Sequence, residues 1–110
     1  MTTQERDLYR RKIEELTDML RGDPDWEDLR GMLRERRVEV SKALLAAFME
    51  DEEGVEYGIL ITGDGRVVES QRRVSPPDDA EVSVWRDRTN DTDIVREYPQ
   101  VSVALEIALG

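Results

Sequence analysis

The 110-residue chain has no cysteine, no histidine, two lysines and six aromatic side chains. Without cysteine there is no disulfide, no thiolate metal site and no thiol nucleophile. Without histidine the chain also lacks the usual transition-metal ligands and the commonest general base. No cofactor is expected. The scarcity of aromatics predicts a modest, mostly aliphatic core. No apolar run approaches the ~20 residues that span a bilayer. The opening Met1-Thr2-Thr3-Gln4-Glu5-Arg6 has no apolar stretch of the signal-peptide kind, so the expected location is the cytoplasm.

What the chain has in abundance is charge. Charged residues make up 38% of it, as do hydrophobic ones, and 26 acidic against 16 basic residues leave a net −10. Such a composition raises disorder as an alternative. Against it, the apolar residues gather into runs at Ala43–Met49, Val55–Ile61 and Val101–Leu109, and the length suits one domain. The field disfavours direct contact with nucleic acid or an anionic membrane and favours a basic protein partner. It is concentrated mid-chain, where residues 41–70 carry seven acidic and two basic side chains.

Thr2-x-x-Glu5 fits a capping box, in which hydroxyl and carboxylate satisfy free amides reciprocally. Leu8, Tyr9, Ile13, Leu16, Met19 and Leu20 follow at helical spacing, and Gly22 ends the helix. Asp23-Pro24 opens a second helix, with Trp26, Leu29, Met32 and Leu33 on its apolar face. The stretch from Val38 to Met49 reads either as a continuation of that helix or as a strand. The charges of Arg34–Arg37 interrupt the stripe, and Asp51-Glu52-Glu53-Gly54 looks like a turn. The choice here is a break near Arg37 and a buried strand from Lys42 to Glu50.

Val55–Thr62 and Arg66–Ser70 form a hairpin turning at Gly63-Asp64-Gly65, where glycine permits positive φ. Ser75–Asp79, with two prolines, reads as an exposed loop. Glu81–Arg88 alternates as a half-buried strand, and Asn90-Asp91 offers a helix N-cap. The end of the chain alternates like a strand from Val101 to Leu109. It also fits a helix through Ile94, Tyr98, Val101, Leu105 and Ala108, and propensity favours helix. The predicted class is α+β: an N-terminal helical hairpin (1–37) packed on an antiparallel meander of three or four strands (38–88), with a C-terminal helix (89–110). One face of the sheet is expected under the helices.

Glu50-Asp51-Glu52-Glu53 is the densest carboxylate cluster. It reads as a solvated turn or as the centre of a surface for a basic partner, and it lacks the ligand spacing and glycine bend of a calcium loop. With Glu56, Asp64 and Glu69 it forms the candidate partner-binding set, which flanks the two proposed turns and of which several members are expected to project from one end of the sheet. Asp87–Asp93 has oxygen ligands at alternate positions, but Thr92 and Tyr98 stand where an EF-hand needs glycine and glutamate. Arg30, Arg34, Arg36 and Arg37 are the strongest basic cluster, diluted by Glu35 and Glu39. No serine lies in a Ser-x-x-Lys or Gly-x-Ser-x-Gly setting, so no catalytic residue is assigned. Trp26 and Trp85 read as core.

Charge, size and the missing chemistry point to a non-catalytic binding module. Its most concrete form is an acidic immunity- or inhibitor-type protein that masks a basic effector surface. The alternatives are an acidic accessory or scaffolding subunit, self-associating through the apolar C-terminus, and a small domain that senses a ligand in a sheet-face pocket.

Overall fold

A computed structural model describes residues 1–73 and 81–110. It has helix α1 (Thr3–Gly22), a 3-10 turn (Pro24–Trp26), α2 (Glu27–Glu35), a second 3-10 turn (Val40–Lys42), strands β1 (Leu44–Glu50), β2 (Val55–Ile61), β3 (Val67–Arg73) and β4 (Glu81–Asp87), then α3 (Ile94–Glu97) and α4 (Gln100–Leu109). The fold is α+β, with one four-stranded antiparallel sheet in the order β1-β2-β3-β4. The loop expected at Ser75–Asp79 lies outside the described residues.

α1 begins where the hydroxyl of Thr2 accepts the Glu5 N–H at 3.1 Å, one half of the expected capping box. It buries Ile13, Leu16, Thr17 and Leu20, a stripe at i, i+3, i+4 and i+7. Leu8 and Met19 stay exposed, off that stripe. Pro24 sits at the first position of its turn, and Asp23 accepts the Asp25 N–H at 2.9 Å. Trp26 therefore belongs to this turn rather than to α2, and its ring lies 4.9 Å from that of Phe48.

α2 stops at Arg36, and Arg37 follows with φ 60. The Val38 N–H returns to the Leu33 carbonyl at 2.8 Å, closing the helix end in the Schellman manner. Glycine is the usual residue at such a left-handed position. A residue with a Cβ there costs about 1 kcal/mol.

The break near Arg37 and the strand beyond it follow the expectation for this stretch. β1 pairs with β2 through Leu44↔Ile61 and Leu45↔Leu60, then slips by one residue so that Ala47 faces Ile59. The bulge restores the alternation on the far side, with Met49 opposite Tyr57 and Phe48 opposite Gly58. β2 and β3 pair without a slip from Val55↔Arg73 to Ile61↔Val67, across the Gly63–Gly65 turn, where Gly65 has φ 85.

Helices cover both faces of the sheet. Ile59, Ile61 and Val67 on one face pack with Ile94, Val101 and Ala104 of α3 and α4. Leu45, Leu60 and Val68 on the other pack with Leu20, Trp26, Leu29 and Leu33. α1 runs along β1 between these two layers and places Ile13 in the first core and Leu16 in the second. It also satisfies the outer edge of β1: Thr17 Oγ1 accepts the buried Leu45 N–H at 3.1 Å, and Arg21 donates to the Ala43 carbonyl at 3.1 Å.

The C-terminal helical region is two helices. Tyr98 leaves the helical conformation before Pro99, and α4 starts afresh after it. Asn90-Asp91 is not the N-cap expected there. Asp93 is, and Asp91 instead accepts the Asp93 N–H at 2.9 Å inside the preceding turn.

Candidate functional site

The seven candidate carboxylates do not share one surface. β2 runs between the Asp51–Gly54 turn and the Gly63–Gly65 turn, so the two lie at opposite ends of a seven-residue strand, about 20 Å apart. Glu50, Asp51, Glu52 and Glu53 are at one end and Asp64 is at the other. The expectation of a single acidic end is corrected by this antiparallel geometry.

Two of the seven turn inwards. Glu56 is 8% exposed and accepts from Arg72 Nε at 2.7 Å. Arg72, itself 4% exposed, also bonds the exposed Asp28 of α2, so the sheet face carries a buried Arg72–Glu56 pair tied to Asp28 at the surface. Glu69 is half-buried against the Arg88 guanidinium at 2.8 Å, which also holds Asp91 at 2.6 Å and Glu97 at 3.0 Å. These three carboxylates hold Arg88 even more firmly protonated than a free arginine. Both groups tie helices to the sheet, and neither carboxylate is free to meet a partner.

The Glu50–Glu53 turn is different. Asp51 spends its carboxylate on the turn itself, accepting from Val55 N–H at 3.0 Å, Glu53 N–H at 2.9 Å and Tyr57 Oη at 3.0 Å. These bonds, the one from Val55 first, hold its carboxyl below the usual carboxylate range, and the Asp51 anion pushes the Tyr57 hydroxyl up from its usual range. Asp51 thereby fixes the turn from inside. Glu50, Glu52 and Glu53 are exposed and make no ion pair among the described residues.

Beside this turn no helix covers the sheet among the described residues. α4 lies over the Ile61–Val67 end, and the opposite end of the same face opens as a groove of about 450 Å³. Met49, Tyr57 and Gln71 form its floor, with Tyr98 and Gln100 along the α3–α4 wall and Glu69 at its inner end. Met49 is 55% exposed. Nothing in the spacing of the sequence pointed to this groove, because it exists only where α4 stops short of the strand ends.

The remaining polar chemistry is internal. Lys12 and Lys42 pair with Glu15 and Glu39, and Ser102 donates to the Pro99 carbonyl, so no lysine is hydrogen-bonded to a serine among the described residues. Nor, among the described residues, do three acidic side chains cluster so as to hold a metal ion. Among the described residues no helix is long and apolar enough to cross a membrane. Of the basic cluster, Arg30 is buried on Glu27 and the Leu20 carbonyl, and Arg34 also reaches Glu27. Arg36 stacks over the half-buried Trp85 ring, 4.9 Å from its centroid.

Among the described residues, five carboxyls sit below their usual range. Besides Asp51 they are Glu27 (the Arg34 guanidinium, then that of Arg30), Asp64 (the Thr62 hydroxyl), Asp87 (the Thr89 hydroxyl) and Asp91 (the Arg88 guanidinium). Each therefore favours the folded chain while the pH stays above its unfolded value, and that contribution is lost as the pH falls through the lower folded value. With no histidine to titrate, stability is expected to be flat between about pH 5 and 8 and to fall steeply below about pH 4. Thermal melts across this range check it, and a midpoint that moves substantially between pH 8 and pH 5 contradicts it.

No protein family, no characterised protein and no solved structure matches the chain.

Proposed function

We propose that this protein is a non-catalytic binding module that captures a basic protein through the Glu50–Glu53 turn and the groove beside it, in the manner of an immunity or inhibitor protein. The observation that carries this reading is the turn itself: three exposed carboxylates that pair with no cation among the described residues, on a loop that Asp51 braces with three hydrogen bonds, next to an exposed Met49. An apolar centre with an acidic rim suits a segment that carries an apolar side chain flanked by lysine or arginine. A preformed turn spares the partner part of the cost of ordering a loop. Association is steered by charge, and the field is screened beyond ~8 Å at physiological ionic strength.

The test is the triple reversal Glu50→Lys, Glu52→Lys, Glu53→Lys. It spares Asp51, so the turn stays intact, and stability should change by less than about 0.5 kcal/mol. A partner recovered with the parent protein should bind the variant with an on-rate lower by about tenfold or more at low salt. A partner that binds both equally, or whose affinity ignores salt, overturns the reading.

The size of the groove also favours a second reading, in which it holds a small ligand, because it falls in the range of about 300–1,000 Å³ typical of such sites. A groove ligand would be indifferent to the triple reversal and sensitive to Tyr98→Ala.

A further inference from the structure

Four of the 16 basic side chains of this acidic chain meet in one cleft. Arg36, Arg37, Lys42 and Arg66 line a space of about 370 Å³ between the end of α2, the second 3-10 turn and the β2–β3 turn. It lies at the end of the sheet opposite Glu50–Glu53. Glu39 and Asp64 are the acidic side chains on its described wall and Asp87 pairs with Arg66 beside it, so the four cations outnumber their three carboxylates by one inside a molecule of net −10.

The cations are not fully spent on the fold. Stacking on Trp85 engages only the face of the Arg36 guanidinium and leaves its N–H edge available. Arg66 uses Nε and one terminal nitrogen on Asp87, leaving the other free. Lys42 is 3.5 Å from Glu39, and its Cβ sits so close to Gly63 that a Cβ there would lie 2.9 Å from it. Arg37 makes no ion pair among the described residues and is held at φ 60, a position where the backbone would prefer glycine. Nor do these side chains cap α2. The carbonyls of Met32, Leu33 and Arg34 already accept N–H groups from Arg36, Val38 and Arg37.

We propose that this cleft binds the dianionic phosphate group of a small molecule. Guanidinium forks match phosphate oxygens in pairs, and Arg36, Arg37 and Arg66 each keep N–H groups that such oxygens can meet. The ligand is a small molecule rather than a nucleic acid, because the wider field repels a phosphate polymer. Among the described residues no aromatic ring lines the cleft, so recognition rests on the phosphate and not on stacking against a base.

The test is an amide NMR titration with inorganic phosphate and with pyrophosphate, each against sodium chloride at equal ionic strength. Saturable shifts confined to residues near Arg36–Lys42 and Thr62–Arg66 are expected with either phosphate probe and not with chloride. Arg37→Gly removes the free guanidinium and suits the left-handed position, so it should melt no lower than the parent while weakening phosphate binding about tenfold. Arg10→Gln, on the exposed side of α1, should leave binding unchanged. Three results overturn the proposal: equal shifts with chloride, phosphate affinity unchanged in Arg37→Gly, or tighter binding of succinate than of phosphate. So does protection of these amides that grows with protein concentration alone, which would put a second copy's acidic turn in the cleft.

Discussion

Arg72→Ala is expected to destabilise the protein by about 3–5 kcal/mol, because it leaves Glu56 charged and buried without its cation. Asp28 would lose the same partner, and with it the tie between the first turn of α2 and the sheet. In a domain of this size the thermal midpoint should drop by more than about 10 °C. The cause is separable from loss of volume. Replacing both members together, Arg72→Leu with Glu56→Leu, removes the stranded charge and should recover much of the stability. Urea unfolding of the single and double variants measures this. A double variant as unstable as Arg72→Ala would mean that packing, not charge, holds this corner.

Trp26→Ala should cost about 3–5 kcal/mol by emptying the space between the end of α1, α2 and the sheet. The indole is 4% exposed and stacks obliquely on Phe48. The contrast is Trp85→Ala. That ring is half-buried under Arg36, and its removal forfeits part of a hydrophobic contact and a cation–π interaction of about 0.5–1 kcal/mol. Its cost should therefore be less than half that of Trp26→Ala. Denaturant midpoints of the two variants decide it, and equal losses would contradict the difference in burial.

Much of the fold was legible in the residues, for reasons tied to local chemistry. Thr2, Gly22 and Asp23-Pro24 mark helix ends because capping is decided within a turn of the chain. Gly63–Gly65 sets the hairpin because positive φ selects glycine. The same turn also determines the β2–β3 register, so the facing of Glu56 and Arg72 could have been read from the sequence by counting outward from it. Charge composition hid this, because in so acidic a chain a carboxylate looks like surface by default.

Other features arise only in three dimensions. Arg88 collects Glu69, Asp91 and Glu97 from three separate segments. The cleft joins Arg36 and Arg37 to Arg66, some thirty residues on, and the groove depends on where α4 ends. The two readings of residues 38–49 and 99–109 were settled by packing. The neighbours Leu45 and Ala46 enter opposite cores, as alternation along a strand requires, and Val101 and Ala104 face the sheet together only from a helix.

The order of the strands along the sheet has a bearing on speed. Each strand pairs only with its chain neighbours, so the sheet can zip from short loops with little loss of closure entropy. The embrace of the sheet by α1 and α4 is the reverse: Arg6 and Glu106, which bond each other, stand 100 residues apart. Folding should therefore nucleate in the hairpins and close at the termini last. A change such as Val101→Ala would then hasten unfolding and leave the folding rate nearly alone, and the two arms of a chevron plot would register it. Resistance to unfolding would reside in the two ends of the chain, while the rate of folding is set in its middle.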